Sequence, residues 1–218
     1  MKTLLLLGAT GQVGGQVLRL ALAHPRVGRI VAPTRRPLDA PDAFGQRLAN
    51  PVVDFERLPA EADWWRADAA LCALGTTMKL AGSQSAFRRV DHDYVVESAG
   101  LARQAGTPVF ALNSSLGADS GSGNFYLRVK GETERDVGAL GFESVTIVRP
   151  SLLDAGTRPD FRLGETVGLA AAKLMRPLIP RRYRPVTTGA VARVMLDAAL
   201  RAEPGVRAIE SDALVRAG

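Results

Sequence analysis

Residues 3–15 read Thr3-Leu4-Leu5-Leu6-Leu7-Gly8-Ala9-Thr10-Gly11-Gln12-Val13-Gly14-Gly15. The run 3–7 is short and apolar and stops at a glycine, the pattern of a strand buried on both faces and closed by a turn. Beyond it Val13, Val17, Leu18, Leu20 and Ala21 recur at helical spacing, which predicts a helix over 11–23. Between strand and helix the glycines are spaced G-x-x-G-x-x-G. Gly8 is expected to permit the tight turn, Gly11 to let the backbone approach a pyrophosphate, and Gly14 to let the helix pack close to the sheet. A helix N-terminus presents free N–H groups and a partial positive charge to phosphates. Gly8, Thr10, Gly11, Gln12, Val13 and Gly14 are therefore the expected phosphate-side contacts of a dinucleotide, with the Thr10 hydroxyl ordering the turn.

Working outward, strands and helices alternate. Strands are predicted at 29–33, 52–54, 69–74, 108–112 and 144–148. Long helices are predicted at 87–105, closed by Gly106, and at 125–140, closed by Gly141. This alternation predicts an α/β fold: a Rossmann-like doubly wound parallel sheet with strand order 3-2-1-4-5-6. The remainder is less regular, with helices expected at 165–175 and 189–201, a Pro/Arg-rich loop at 176–185 and a short strand at 206–209 that closes the sheet as a seventh. The chain is expected to form a single domain over 1–218, with a cofactor-binding core at 1–153 and an irregular C-terminal substrate-side region at 154–218.

Composition narrows the function classes. A chain of 218 residues that is 46% hydrophobic can bury a sizeable core, and the 23% charged positions are interspersed throughout, which excludes wholesale disorder. The sequence contains no apolar stretch long enough for a membrane helix, so no membrane partner is expected. One cysteine, Cys72, and two separated histidines, His24 and His92, argue against a metal site, and none is expected. Met1-Lys2-Thr3 before four leucines looks like the start of a secretory leader, but the apolar run is short for one. With Cys72 unpaired, the expectation is a cytoplasmic protein. The net charge of +6 raises nucleic acid as a partner, yet 24 of the 28 basic residues are arginines spread along the chain. The one dense cluster is Arg181-Arg182-Tyr183-Arg184. A small anionic substrate is the preferred source of the bias, rather than nucleic acid.

Two further features point to chemistry. NAD sites usually carry an acid after the second strand, on the ribose 2′-hydroxyl. Here Thr34-Arg35-Arg36-Pro37 stands there, and two guanidinium groups suit a 2′-phosphate. The expected cofactor is thus NADP(H) rather than NAD(H). Tyr126 and Lys130 lie one helical turn apart, so both occupy one face. An ammonium beside a phenol favours phenolate and makes the tyrosine a better proton donor or acceptor next to a carbonyl. Ser114 and Ser115 end the fifth strand, where open α/β sheets bind ligands, and could hold a substrate oxygen. His92 reads as a solvated surface residue and Cys72 as core packing.

Taken together, the glycine turn, the serine pair and the Tyr-x-x-x-Lys motif resemble the short-chain dehydrogenase/reductase superfamily. The spacing Gly8…Gly11…Gly14 and the short C-terminal part are similar to its atypical branch, closest to the Tat-interacting-protein-like NAD(P)-binding oxidoreductases. The residues that carry this are Leu74-Gly75-Thr76-Thr77, Val90-Asp91-x-Asp93-Tyr94-Val95, Ser114-Ser115-x-Gly117-Ala118-Asp119, Asn124-Phe125-Tyr126-x-x-Val129-Lys130-Gly131-Glu132 and Arg149-Pro150. The resemblance implies that Tyr126 is the general acid/base, that Lys130 binds the nicotinamide ribose, and that Ser115, or else Ser114, holds the substrate oxygen. It also implies that Asp54 and Phe55 flank the adenine, that Leu74, Gly75 and Thr76 pass along the central ribose, and that the backbone near Pro150 touches the nicotinamide. The expected activity is NADP(H)-dependent oxidoreduction of a small carbonyl or alcohol. Two rivals are a non-enzymatic NADPH-binding regulator and a nucleotide-sugar epimerase or dehydratase.

Overall fold

The computed structural model describes residues 1–39, 45–154 and 180–217. At its centre is β1 (Lys2–Leu7), flanked by β2 (Val27–Val31) and β4 (Ala69–Cys72), both parallel to it. With β3 (Leu48–Ala49), β5 (Val109–Asn113), β6 (Ser144–Arg149) and β9 (Gly205–Glu210) the sheet runs β3-β2-β1-β4-β5-β6-β9, and every pairing is parallel. The predicted order holds, and the seventh strand joins beyond β6.

Alternation along each strand explains the double winding. Leu4, Leu6, Ala69, Leu71 and Ala111 point to one face, where α1 (Gln12–Ala23) and α6 (Thr188–Arg201) bury Val17, Ala21, Val191 and Met195. Leu5, Leu7, Ala70, Cys72 and Phe110 point to the other, covered by α4 (Tyr94–Gln104) and α5 (Phe125–Gly138) through Val95, Ala99 and Val137. All four leucines of β1 are at most 1% exposed, each contributing about 1.5–3 kcal/mol of burial.

Several elements differ from expectation. The third strand is Leu48–Ala49, not 52–54. Asn50 fixes this register by donating to the Ala32 carbonyl and accepting from Leu38 N–H, while Val52 is exposed and keeps only an isolated bridge to Thr34. The helix expected at 87–105 begins earlier, at α3 (Gln84–Arg88), where Ser83 caps Ala86 N–H. It continues through a π-turn, Arg89–Asp93, into α4. Three short elements have no counterpart in the expected pattern: α2 (Met78–Ala81), capped by Thr77, and the parallel pair of β7 (Leu153–Asp154) with β8 (Val186–Thr187). A last helix, α7 (Ser211–Ala217), follows β9. The helix expected at 165–175 lies outside the described residues, as does the first part, 176–179, of the loop expected at 176–185. Among the described residues no helix is long and apolar enough to cross a membrane.

Candidate functional site

The C-terminal ends of β1, β2 and β4 open into a cleft lined by Gly8, Thr10, Gly11, Thr34, Arg35, Phe55, Leu74, Gly75, Val90 and Tyr94, together with Pro33 and Ala73. Gly8 adopts φ +87°, and a Cβ there would meet the Ala73 carbonyl carbon at 2.6 Å, so both its conformation and its packing require glycine. Gly14 departs from its expected role. Its missing Cβ would meet the Gly8 carbonyl oxygen at 2.0 Å, so Gly14 lets the helix close onto the turn itself rather than onto the sheet. Gly11 is the exposed N-cap of α1; no side chain caps the helix there, and no acid stands in its first turn. Uncapped N–H groups beside a glycine turn fit a phosphate. Gln12 faces a second cleft, and Val13 is buried in the core.

The two arginines separate. Arg35 lines the cleft and is the one charged residue that does so among the described residues. Arg36 is exposed and outside the lining, and its carbonyl accepts the Thr34 hydroxyl at 2.6 Å. Phe55 is 4% exposed and packs against the Tyr94 ring at 5.7 Å. Asp54 is not part of the lining; its carboxylate accepts Glu56 N–H in a turn. Tyr94, which stands in the Val90-Asp91-x-Asp93-Tyr94-Val95 motif without an expected role, also lines this cleft. Its hydroxyl donates to Glu56, and burial followed by that carboxylate pushes its pKa up to about 12.

A second cleft, of about 650 Å³, opens beside the first. Gln12, Thr77, Ser114, Ser115, Tyr126, Pro150, Leu153 and Tyr183 are among its lining residues. Helix α5 brings Tyr126 here: Asn124 caps Leu127 N–H, and Gly131 lets the helix press against the backbone of Asp119 and Ser120, where a Cβ would sit 2.2 Å away. The Tyr126 ring rests on Phe87, 5.5 Å between centroids. Ser114 is 6% exposed, and its hydroxyl donates to Glu134 at 2.5 Å. Glu134 in turn holds Arg149, which also pairs with Glu210 at 2.9 Å. Ser114 is thus bound into an internal network. Ser115 is half-buried, and among the described residues its hydroxyl makes one long contact, 3.5 Å, to the Leu116 carbonyl. Pro150 is buried, and its carbonyl accepts Leu116 N–H.

Lys130 lies behind Tyr126, 7% exposed, with its ammonium 2.7 Å from Asp91 Oδ1. Burial alone lowers the lysine pKa, but the charge of Asp91, then Tyr126, carries it above the ordinary lysine value. The ammonium expected to act on Tyr126 is therefore shared with a buried carboxylate. The signal for Asp91 was present in the sequence, in Val90-Asp91-x-Asp93, but nothing local tied it to a lysine on another helix. Thr76, expected along the ribose, donates its N–H to Asp91 Oδ2 at 2.8 Å. His92 departs from expectation: it is largely buried and held between Asp93 (2.7 Å) and Asp136 (2.9 Å). Tyr183 reaches the second cleft from the basic cluster, with the Arg182 guanidinium 5.1 Å over its ring.

No protein-family model matches the chain. It is 38% identical over 176 residues to the mitochondrial protein fmp52 of Emericella nidulans, a match covering 77% of this chain and 73% of that one. It is 39% identical over 153 residues to protein HTATIP2 of Rattus norvegicus, covering 70% and 63%. Among solved structures it resembles MoeE5 in complex with UDP-glucose and NAD, with a TM-score of 0.70 at 17% identity, covering 96% of this chain and 76% of that one. At that identity the likeness is one of fold. The Fmp52 relatives are named mitochondrial, which overturns the expectation of a cytoplasmic protein.

Proposed function

Because the chain belongs to the family of the Fmp52 and HTATIP2 proteins, within the atypical short-chain dehydrogenase/reductases, we propose that it is an NADP(H)-dependent oxidoreductase of a small carbonyl or alcohol. The observation that carries this reading is the pair of clefts at the ends of the central strands, lined by neighbouring residues of the chain, Gly11 and Gln12, Gly75 and Thr77. One is shaped by Gly8, Gly11 and Arg35, and the other presents Tyr126 and Ser115. In the proposal, the N-terminus of α1 receives the pyrophosphate, and Arg35 receives the 2′-phosphate with a charge-assisted hydrogen bond. Phe55 and Tyr94 offer aromatic surface to the adenine.

The nicotinamide, when bound, supplies the hydride. Ser115 donates to the substrate oxygen, since the Ser114 hydroxyl is already given to Glu134. Tyr126 passes its phenolic proton to that oxygen as the carbon is reduced, and takes it back in the reverse direction. Lys130 holds the ribose hydroxyls and keeps a positive charge behind the phenol. Tyr183 and the neighbouring Arg182 favour a substrate with an anionic group.

The test is calorimetry with NADPH and NADH, followed by a panel of carbonyl compounds that includes keto acids, with NADPH oxidation as the readout. Binding of NADPH with turnover of a keto acid supports the reading. Tight binding with no turnover across the panel would favour the non-enzymatic regulator, and no binding of either dinucleotide would end the cofactor assignment.

A further inference from the structure

Lys130 sits where water barely reaches, and burial by itself favours the neutral amine. Three titratable groups face it: the Asp91 carboxylate from the π-turn, Tyr126 from its own helix, and the Cys72 thiol from β4. Asp91 is 1% exposed, more deeply buried than the lysine it pairs with. A carboxylate so placed is costly unless it is paired. Oδ2 accepts Thr76 N–H at 2.8 Å, and Oδ1 lies 2.7 Å from Lys130 Nζ, an ion pair whose angles fall outside hydrogen-bond geometry.

The surroundings fix this clamp from three sides. Gly75 leaves room for it, because a Cβ there would stand 3.2 Å from Asp91 Oδ1 and 3.7 Å from Lys130 Nζ. Thr133 of α5 donates its hydroxyl to the Asp91 carbonyl at 2.9 Å, tying the π-turn to the helix that carries Tyr126 and Lys130. The π-turn itself sets Asp91 inward, between the segments preceding and following it. One carboxylate thereby joins the loop after β4, which lines the first cleft, to the lysine behind the second.

We propose that Asp91 is a positioning residue: it fixes the Lys130 ammonium, in place and charged, beside Gly75 of the first cleft's lining, and holds the Gly75–Thr76 turn in register with it. This rests on the reading of Lys130 as a dinucleotide ligand. Asp91 touches neither cofactor nor substrate in this account and acts only through Lys130 and the turn.

Two measurements test it. The first is the pH dependence of NADPH affinity in the parent and in Asp91→Asn, which keeps the shape and removes the charge. The parent should bind with nearly constant affinity from pH 7 to about 9.5, because its lysine stays protonated. In the variant the affinity should fall by about tenfold over the same interval, the difference between a charged and a neutral hydrogen-bond donor. Superimposable profiles would overturn the proposal, since a merely structural ion pair changes stability without changing the pH profile of binding.

The second needs no cofactor and does not depend on Asp91→Asn. The chain has four lysines, Lys2, Lys79, Lys130 and Lys173, so lysine-labelled NMR spectra are sparse, and Lys130→Met assigns the signal. The parent Lys130 signal should hold its charged position to a higher pH than that of the exposed Lys79. Loss of the proton at a lower pH than Lys79 in the parent would overturn the proposal even if Asp91→Asn fails to fold. A parent that binds neither dinucleotide would refute the cofactor reading instead, and the titration would still decide the pair.

Discussion

Replacing Gly14 by alanine is the sharpest perturbation of the turn that sets the first cleft. A Cβ at this position would lie 2.0 Å from the Gly8 carbonyl oxygen and 2.7 Å from its carbon, against an ordinary contact distance of about 3.5 Å. Both opposing atoms are backbone, and the Gly8 carbonyl is also held by Gly11 N–H at 3.0 Å, so no side-chain rotation relieves the overlap. Overpacking of this kind costs about 3 kcal/mol at the upper end of its usual range. Alanine recovers about 1 kcal/mol of helix propensity over glycine. The net loss is about 2 kcal/mol, which with an m-value of about 2 kcal/mol/M lowers the urea midpoint by about 1 M. Gly11→Ala is the control. Its Cβ would lie 3.3 Å from the same oxygen, a tight contact that a small shift relieves, and its φ of −80° suits any residue, so even with the poorer N-cap its midpoint should move by about half as much or less. Urea titrations followed by circular dichroism compare the two directly. Equal midpoints for Gly14→Ala and Gly11→Ala would refute the close-approach argument for Gly14.

Three further outcomes are expected. Arg35→Ala should weaken NADPH binding by about ten- to a hundredfold, the value of one charge-assisted hydrogen bond, and leave NADH nearly unchanged, whereas Arg36→Ala, outside the cleft, should matter little; equal losses in calorimetry would show that the cleft lining does not select the phosphate partner. Tyr126→Phe should fold normally, bind NADPH almost as the parent does, and reduce a carbonyl substrate about 10²–10⁴-fold more slowly; an unchanged single-turnover rate would leave the tyrosine a packing residue. Cys72 is fully buried and burial pushes its thiol up to about 12, so it should resist an aromatic disulfide reagent at pH 8 in the folded protein and react once unfolded in urea; rapid labelling of the native chain would contradict that burial.

The parallel α/β plan was legible in the sequence because its signals are local. A leucine run that ends at Gly8, helical spacing from Val13 to Ala21, and glycines after 105 and 140 each mark one element within a few residues. The strand order followed from alternation and short crossovers. The pairing of Tyr126 with Lys130 on one helical face was equally local. Tertiary structure decided the rest. Leu48–Ala49 is the third strand because Asn50 reaches across to Ala32 and Leu38, whereas the more β-branched Val52-Val53 satisfied only a composition rule. Ser114 and Ser115 could not be told apart until Glu134, one element away, took the hydroxyl of the first. Gly14 faces its own turn rather than the sheet because of where the Gly8 carbonyl points. Asp91 joined the site only when a π-turn set its carboxylate against a lysine on another helix. A strand or helix announces itself through the periodicity of neighbouring residues, but a buried ion pair or a hydroxyl's choice of partner depends on distances between residues far apart in the chain, and those exist only once the sheet has assembled.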